Sequence, residues 1–186
     1  MNNFCGGSCA FSTGLAIPGW NTTGSQTGQW ITGGFDGNPP AIDGSVLAYS
    51  NGGGAISQEV GSAIAGDTYT LQVDVLARTD ASLDAVVRLE INGLVVATAA
   101  PTVPQVAGNW ANWTAVYTAT SAQAGEPVAI LLTATGDQGD WDNVRLNGSV
   151  GYVPEPGTCV LLGIGLLGLL TLSLRRKQEC SPDLYL

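Results

Sequence analysis

The feature that most constrains the fold is a strict two-residue alternation of apolar and polar side chains in the middle of the chain. Residues 69–75 read YTLQVDV, with apolar residues at the odd positions and polar residues at the even ones. Successive side chains of a β-strand point to opposite faces, so this pattern predicts a strand with one buried face. Residues 87–91 (VRLEI) repeat it, and Asn92-Gly93 then supplies a tight hairpin turn before residues 94–98 return.

Other short runs of the same kind complete a predicted set of about eight strands, at the spacing of an all-β sandwich. They are residues 45–49, 56–60, 113–119, 128–135 and 144–146. No helical periodicity precedes residue 157. The predicted fold class is all-β, a two-sheet jelly-roll sandwich.

The C-terminal segment has a different character. Residues 157–174 carry no charge on any face, and Arg175, Arg176 and Lys177 follow at once. A helix of that length spans roughly 27 Å, close to the thickness of a bilayer core. The basic cluster predicts that the following tail is cytoplasmic. We therefore expect one C-terminal transmembrane helix. The GIGLLG match at 163–168 to a dinucleotide loop lacks the strand and helix that such a loop requires.

The stretch Pro154-Glu155-Pro156, followed by the apolar run and the basic cluster, resembles the PEP-CTERM sorting segment of Gram-negative bacterial surface proteins. The resemblance implies processing by an exosortase, a membrane-embedded transpeptidase-like enzyme. It also implies a protein of the inner membrane with an extracytoplasmic domain, destined for the cell surface or extracellular matrix. The start MNNFCGGSCAF has neither the basic n-region nor the apolar h-region of a secretory signal, so we expect such a segment to precede it.

The predicted organisation has five parts. They are residues 1–12 as a poorly ordered segment or the start of the first strand, 13–149 as the jelly roll, 150–156 as an extended linker with the sorting motif, 157–174 as the transmembrane helix, and 175–186 as the basic cytoplasmic tail. Within the first part, Cys5 and Cys9 form a small disulfide loop in an oxidising compartment or remain two free thiols.

Composition excludes several functions. Before residue 154 the basic residues are Arg78, Arg88 and Arg145, and the whole chain has a net charge of −9, so nucleic acid is not an expected partner. The sequence contains no histidine, which rules out Ser-His-Asp and Cys-His catalysis. A glycosidase needs two paired carboxylates. Nothing marks such a pair among Glu59, Glu90, Asp140 and Asp142. The sequence therefore predicts that the domain is not an enzyme.

The segments PGW (18–20), AISQEV (55–60), TYTLQVDV (68–75) and WDNVRL (141–146) are similar to galactose-binding-like, carbohydrate-binding-module jelly rolls. This resemblance covers most of residues 10–148 and implies glycan binding and, in many members, a structural calcium ion. In WDNVRL, Asp142 shares strand parity with Val144 and Leu146, which predicts an inward carboxylate. The resemblance implies that Asp142 binds calcium; the alternative is an Asp that accepts backbone N–H bonds.

Tryptophan faces stack on sugars, and Trp30 and Trp110 lie in loop-like sequence, so they are the candidate glycan contacts. The predicted function is an exported, membrane-anchored surface or extracellular-matrix protein that binds carbohydrate. Two alternatives remain open: a structural or adhesion protein of the exopolysaccharide matrix with no defined ligand, and a polysaccharide-degrading hydrolase.

Overall fold

The computed structural model describes residues 10–13, 17–24, 26–31, 37–148 and 150–151. The chain divides into residues 1–151 and residues 152–186, and all described residues lie in the first unit. The strands are β1 Ala10–Thr13, β2 Asn21–Thr23, β3 Thr27–Ile31, β4 Leu47–Asn51, β5 Ala55–Ala63, β6 Thr68–Ala77, β7 Ala85–Ile91, β8 Leu94–Thr98, β9 Ala100–Pro101, β10 Asn109–Thr118, β11 Pro127–Ala134, β12 Gln138–Asn147 and β13 Val150–Gly151, with a short 3-10 helix at Ser121–Gln123.

These strands form two antiparallel sheets. Sheet A has the order β1-β3-β4-β12-β6-β10-β9, and sheet B has the order β13-β5-β11-β7-β8, with β2 paired to β5. The prediction of an all-β, two-sheet sandwich is confirmed. The eight predicted strands correspond to β4–β8 and β10–β12.

The apolar faces of β6 and β7 meet between the sheets, as their alternation predicted. The core residues of these two strands are Tyr69, Leu71, Val73, Val75, Val87, Leu89 and Ile91, all at most 1% exposed. Each such side chain contributes roughly 1.5–3 kcal/mol on burial. The hairpin turn is also as predicted, because Asn92 and Gly93 both have positive φ, at 53° and 70°.

Strand β12 contains a bulge that the sequence pattern did not reveal. Asp142 pairs with Asp74 of β6, but the next pair is Arg145 with Gln72, so β12 has one extra residue. Asn143 sits in this bulge with φ of 51°, a conformation that asparagine tolerates better than most residues.

The bulge reverses the orientation that we predicted for the first half of β12. Trp141 is fully buried between the sheets, whereas we expected it to point away from the core. Gly139 has the same inward parity and leaves room for the indole, because a Cβ atom there would collide with the Trp141 ring. Asp142 therefore lies on the opposite face of sheet A, and the prediction that it points inward is wrong.

The strands that sequence reasoning missed are β2, β3, β9 and β13, whereas β1 begins within residues 1–12, where the start of the first strand was one of the two expectations. Most are short or rich in Gly, Ser, Thr and Gln, so they carry little alternation of hydrophobicity. In the described ranges, no helix is long and apolar enough to cross a membrane. The predicted helix 157–174 lies outside those ranges.

Candidate functional site

A second apolar cluster lies on the outer face of sheet A, the face turned away from sheet B. It consists of Trp30, Leu47, Tyr49 and Leu76, with Trp110 packed against it. Val75 and Ala111, the chain neighbours of Leu76 and Trp110, belong to the core between the sheets, and Ala48, between Leu47 and Tyr49, packs against that core. Sheet A is therefore buried on both faces over this region.

Asp140 lies on this outer face, directly opposite Tyr49 in the pairing of β12 with β4. Its exposed fraction is 1%. Its Oδ1 accepts a hydrogen bond of 2.7 Å from Nε2 of Gln138. Its Oδ2 is buried and accepts no hydrogen bond within the described part of the chain. A buried carboxylate with one donor is expensive to ionise.

Burial raises the pKa of Asp140 to about 7, against the lowering effects of the Gln138 hydrogen bond and the Arg78 charge; Asp80 adds a small raising effect. Burial, with the Asp140 charge, also raises the pKa of Tyr49. Near neutral pH, Asp140 is thus divided between carboxylic acid and carboxylate. A group with this property can donate a proton and take it back.

Arg78 follows β6 and connects Asp140 to the aromatic cluster. Its guanidinium lies 4.6 Å from the centroid of the Trp30 ring, within cation–π range. It donates to both carboxylate oxygens of Asp80, through Nε at 2.8 Å and through Nη2, and it donates from Nη1 to Oε1 of Gln138 at 2.7 Å. The Arg78 hydrogen bonds lower the pKa of Asp80 to about 2.

Residues 38–43, here called the strap loop, are tied to the same face of sheet A at three points. Asn38 accepts from the backbone N–H of Thr79 at 3.1 Å and donates to Asp80 at 3.2 Å. The indole Nε1 of Trp110 donates to the carbonyl of Pro40 at 2.9 Å. The third attachment is the carboxylate of Asp142. The strap loop thus covers part of the outer face.

The Asp142 carboxylate caps the end of the strap loop. Its Oδ2 accepts from the backbone N–H groups of Ile42 at 2.7 Å and Asp43 at 2.9 Å, and its Oδ1 accepts from the N–H of Asn143 at 2.8 Å. This is the backbone-accepting arrangement that the sequence left as the alternative to calcium. Across the described residues, no group of three or more His, Cys, Asp or Glu side chains is placed to hold a metal. Both Asp142 oxygens accept backbone N–H bonds, and calcium at Asp142 stays a prediction.

The two tryptophans predicted to contact glycan lie in strands rather than in loops. Trp30 is in β3 and is 5% exposed, with Arg78 over its ring. Trp110 is in β10 and half-buried. Both belong to the outer cluster, and glycan contact by either remains a prediction. Outside the described ranges lie Cys5, Cys9, Pro154, Glu155, Pro156, Arg175, Arg176 and Lys177.

A cavity of about 420 Å³ is lined in part by Asp142, Asn143 and Val144 of the β12 bulge. Its floor includes Ile56, Leu132 and Trp141 from the core between the sheets. Its rim is polar and aromatic, formed by Trp20, Gln29, Asp43, Asn143 and Arg145 among others. The cavity is separate from the site around Asp140. Of the outer apolar cluster and the polar residues Asp140, Gln138, Arg78 and Asp80, only Leu47 lines the cavity.

Sequence reasoning did not single out Asp140, Gln138, Tyr49 or Arg78. The signal available was the stretch QGDWD at 138–142, in which Gln138, Asp140 and Asp142 share one face opposite Trp141. The partners come from β4 and from the end of β6, so their proximity depends on strand order. That order is not encoded in any local pattern.

Two protein families match this chain. Residues 3–147 match the HpiC1-like family, described as HpiC1 cyclase, and residues 153–177 match the PEP-CTERM protein-sorting motif. The second match covers the motif and basic cluster named above and confirms the predicted resemblance; the motif implies exosortase processing and sorting for export. No curated protein matches the chain.

Solved structures share the fold at low sequence identity. A cyclase from Fischerella sp. TAU in complex with 4-(1H-indol-3-yl)butan-2-one is 19% identical, with a TM-score of 0.62 over 77% of this chain and 90% of that one. A Stig cyclase from the same organism, bound to an indole derivative, is 20% identical with the same TM-score and coverage.

The carbohydrate-binding and catalytic modules of a Clostridium thermocellum xylanase with xylohexaose are 17% identical, with a TM-score of 0.50 over 78% of this chain and 29% of that one. These likenesses show the sandwich fold. The family match spans most of the chain and nearly all of the described sandwich. The chain therefore belongs to the HpiC1 cyclase-like family and carries a PEP-CTERM sorting motif at residues 153–177.

Proposed function

We propose that the sandwich is an acid catalyst that binds an apolar, aromatic substrate on the outer face of sheet A and closes a ring in it after protonation by Asp140. The observation that carries this proposal is the carboxyl group of Asp140, which is 1% exposed, has one oxygen that accepts no hydrogen bond from the described residues, and lies beside an aromatic cluster. A pKa of about 7 leaves the neutral acid well populated at neutral pH, as general acid catalysis requires.

The reaction is a redox-neutral isomerisation. Asp140 gives its proton to an electron-rich carbon of the substrate and becomes a carboxylate that Gln138 stabilises. A second π bond of the same molecule attacks the resulting carbocation, forming the new ring bond. Loss of a proton to Asp140 then restores the acid, so the product is an isomer of the substrate. The faces of Tyr49 and Trp110 stabilise the cation.

Substrate entry requires local opening, because Asp140 is 1% exposed. We assign this opening to the strap loop, whose attachment between Pro40 and Trp110 is a single hydrogen bond. The related cyclase bound to an indole ketone supports a substrate of indole size. The prediction that the domain is not an enzyme rested on the lack of histidine and of a marked carboxylate pair; the proposal departs from it, because a single buried aspartic acid can transfer a proton without either.

The test uses the described domain within the full chain and two kinds of probe. Binding of 4-(1H-indol-3-yl)butan-2-one is followed by the ring resonances of Tyr49 and Trp110 in NMR spectra. Turnover is followed with indoles that carry an alkenyl side chain, by chromatography for a product of unchanged mass. Asp140→Asn is compared with the matched control Glu59→Gln, which neutralises an exposed carboxylate on β5.

We expect saturable shifts at Tyr49 and Trp110 in the native chain, and a new isomer that Glu59→Gln also forms. Asp140→Asn is expected to lower the rate at least 100-fold, the contribution typical of a general acid. Equal rates for Asp140→Asn and the native chain, or no ligand response at the outer face, would overturn the proposal.

Carbohydrate binding is the second candidate function, and the 420 Å³ cavity favours it. An aromatic residue, Trp20, lies on a rim with the hydrogen-bonding groups of Gln29, Asn143 and Arg145, a combination suited to sugars. The probe is xylohexaose, the ligand of the xylanase with this fold. Saturable binding lost in Trp20→Ala supports a glycan site at the cavity; loss in Trp110→Ala instead supports the predicted outer-face contact.

A chain that responds to neither indole nor glycan would fit a further alternative, a matrix or adhesion protein without a defined ligand. In each case we propose that the domain is delivered to the cell surface or its matrix by exosortase processing near Pro154-Glu155-Pro156. The match to the sorting motif at 153–177 supports this destination.

A further inference from the structure

A chain of hydrogen bonds runs from Asp80 through Arg78 and Gln138 to Asp140. Arg78 donates from Nη1 to Oε1 of Gln138 at 2.7 Å, and Gln138 donates from Nε2 to Oδ1 of Asp140 at 2.7 Å. Asp80 and Arg78 follow the end of β6, and Gln138 and Asp140 lie at the start of β12. The buried acid is thus connected to an ion pair nearer the surface by one amide.

The direction of this chain follows from the chemistry of its members. A guanidinium has only donors, whereas a primary amide has one acceptor oxygen and one donor nitrogen. With its oxygen on Arg78, the amide of Gln138 has to present its N–H₂ to Asp140. Oδ1 of Asp140 then accepts, and the proton of the neutral acid belongs on Oδ2, the oxygen that has no donor among the residues described by the structure.

Arg78 is itself held in one orientation. Both carboxylate oxygens of Asp80 accept from it, and the ring of Trp30 lies against its guanidinium. Asn38 of the strap loop donates to the same carboxylate at 3.2 Å. The amide is therefore oriented by a group that has little freedom to turn, and the strap loop binds the same Asp80 carboxylate as that group.

We propose that Gln138, oriented by Arg78, is a positioning residue that places the acidic proton of Asp140 on Oδ2, toward the substrate. This inference rests on the proposed acid catalysis by Asp140. Without Arg78 the amide is free to turn over, and its oxygen then accepts the proton from Oδ1, on the side away from the substrate. The charged and titratable groups that face Asp140 are Arg78 and Asp80, after β6, and Tyr49, on β4.

The experiment titrates Asp140 by its side-chain carboxyl ¹³C resonance, which needs no substrate. Gln138→Met removes the amide at nearly constant length, and Gln72→Met, on the neighbouring strand β6, is the matched control. Gln138→Asn is a second variant that keeps an amide but is too short to reach both partners. Arg78→Met removes the orienting group. Thermal unfolding confirms that each variant is folded.

We expect Gln138→Met and Arg78→Met each to raise the pKa of Asp140 by roughly one unit, because a bond or charge that favours the carboxylate is lost. Gln138→Asn is expected to follow Gln138→Met, and Gln72→Met to titrate like the native chain. Ring closure, measured on the alkenyl indoles, is expected to slow at least 10-fold in both Gln138 variants and in Arg78→Met.

The two proposals fail in different ways. Loss of turnover in Asp140→Asn, with native titration and rate in Gln138→Met and Gln138→Asn, overturns the positioning role and leaves the acid. Shifted titration in the Gln138 and Arg78 variants, with full turnover in Asp140→Asn, overturns the catalytic role and reduces the amide to an electrostatic partner.

Discussion

Asp140 and Asp142 lie two residues apart on the same face of β12, yet their surroundings differ completely. Both are buried, at 1% and 9% exposed. Asp142 accepts three backbone N–H bonds from the strap loop and the bulge. Asp140 accepts one hydrogen bond, from the Gln138 side chain, and its other oxygen has no donor within the described residues.

The difference teaches that burial alone does not decide what a carboxylate does. Backbone N–H groups cannot be moved or deprotonated, so Asp142 is committed to fixing the strap loop. Asp140 has a buried oxygen that accepts no hydrogen bond from the described residues, and we propose that the proton of this group takes part in chemistry. One residue type in one strand thus serves architecture at one position and, as we propose, catalysis at the other.

The largest expected effect is the pH dependence of stability caused by Asp140. Its pKa is about 7 in the folded chain against 3.8 for the ordinary group, so the folded state holds the proton more tightly between those values. Stability from this group is complete below pH 3.8 and declines as pH rises to about 7. We expect the free energy of unfolding of Asp140→Asn, relative to that of the native chain, to rise by up to about 4 kcal/mol between pH 4 and pH 8.

The measurement is urea unfolding of both chains across that range, with Glu59→Gln as the control. The other carboxylates titrate in both chains, so the difference isolates Asp140. A difference that does not change with pH would mean that Asp140 ionises normally and would contradict the raised pKa of this group.

Asp142→Asn tests the structural role of Asp142. It is expected to lower the free energy of unfolding by roughly 1–3 kcal/mol at neutral pH. Whichever way the amide turns, its N–H₂ faces at least one of the backbone N–H groups that now bind oxygen. The free energy of unfolding, measured with and without calcium, checks this. An Asp142→Asn chain as stable as the native one would contradict the capping role, and calcium stabilisation of the native chain alone would support the metal site instead.

Trp110→Phe keeps the packing on the outer cluster and removes the hydrogen bond to Pro40. We expect the free energy of unfolding to fall by about 1 kcal/mol and amide hydrogen exchange in residues 38–43 to become faster, because one attachment of the strap loop is removed. Tyr117→Phe, on the same strand β10, is the control, since its hydroxyl bonds to Gln123 and not to the strap loop. Unchanged exchange in Trp110→Phe would show that the strap loop is held by Asn38 and Asp142 alone.

Removal of the C-terminal segment is expected to have the smallest effect on the difference between the surroundings of Asp140 and Asp142. Co-expression with an exosortase should remove mass beyond Pro154-Glu155-Pro156, as intact-mass measurement would reveal. Both carboxylates lie in the unit of residues 1–151, so the Asp140 titration should be the same before and after cleavage. A shifted titration after cleavage would contradict the independence of the acid cluster, and an uncut chain would contradict processing.

Much of the fold could be predicted because it depends on the alternation of apolar and polar residues along single strands. The inward faces of β6 and β7 and the Asn92-Gly93 turn follow from period two and from the residues that tolerate positive φ. The site could not be predicted in the same way. Trp30 was expected in a loop because its neighbours are Gly and Gln, and it lies instead in a buried strand, where β4 completes its hydrogen bonds.

The sequence by itself determined the class of fold, the acidic charge, the absence of histidine and the sorting motif, since each depends on residue identity or on a pattern a few residues long. The tertiary structure decided which carboxylate is the unusual one. The bulge at Asn143 turns Trp141 inward and places both aspartates on the outer face. Strand order then brings Tyr49 and Arg78 to Asp140 and the strap loop to Asp142, and these contacts span distances along the chain that no local pattern encodes.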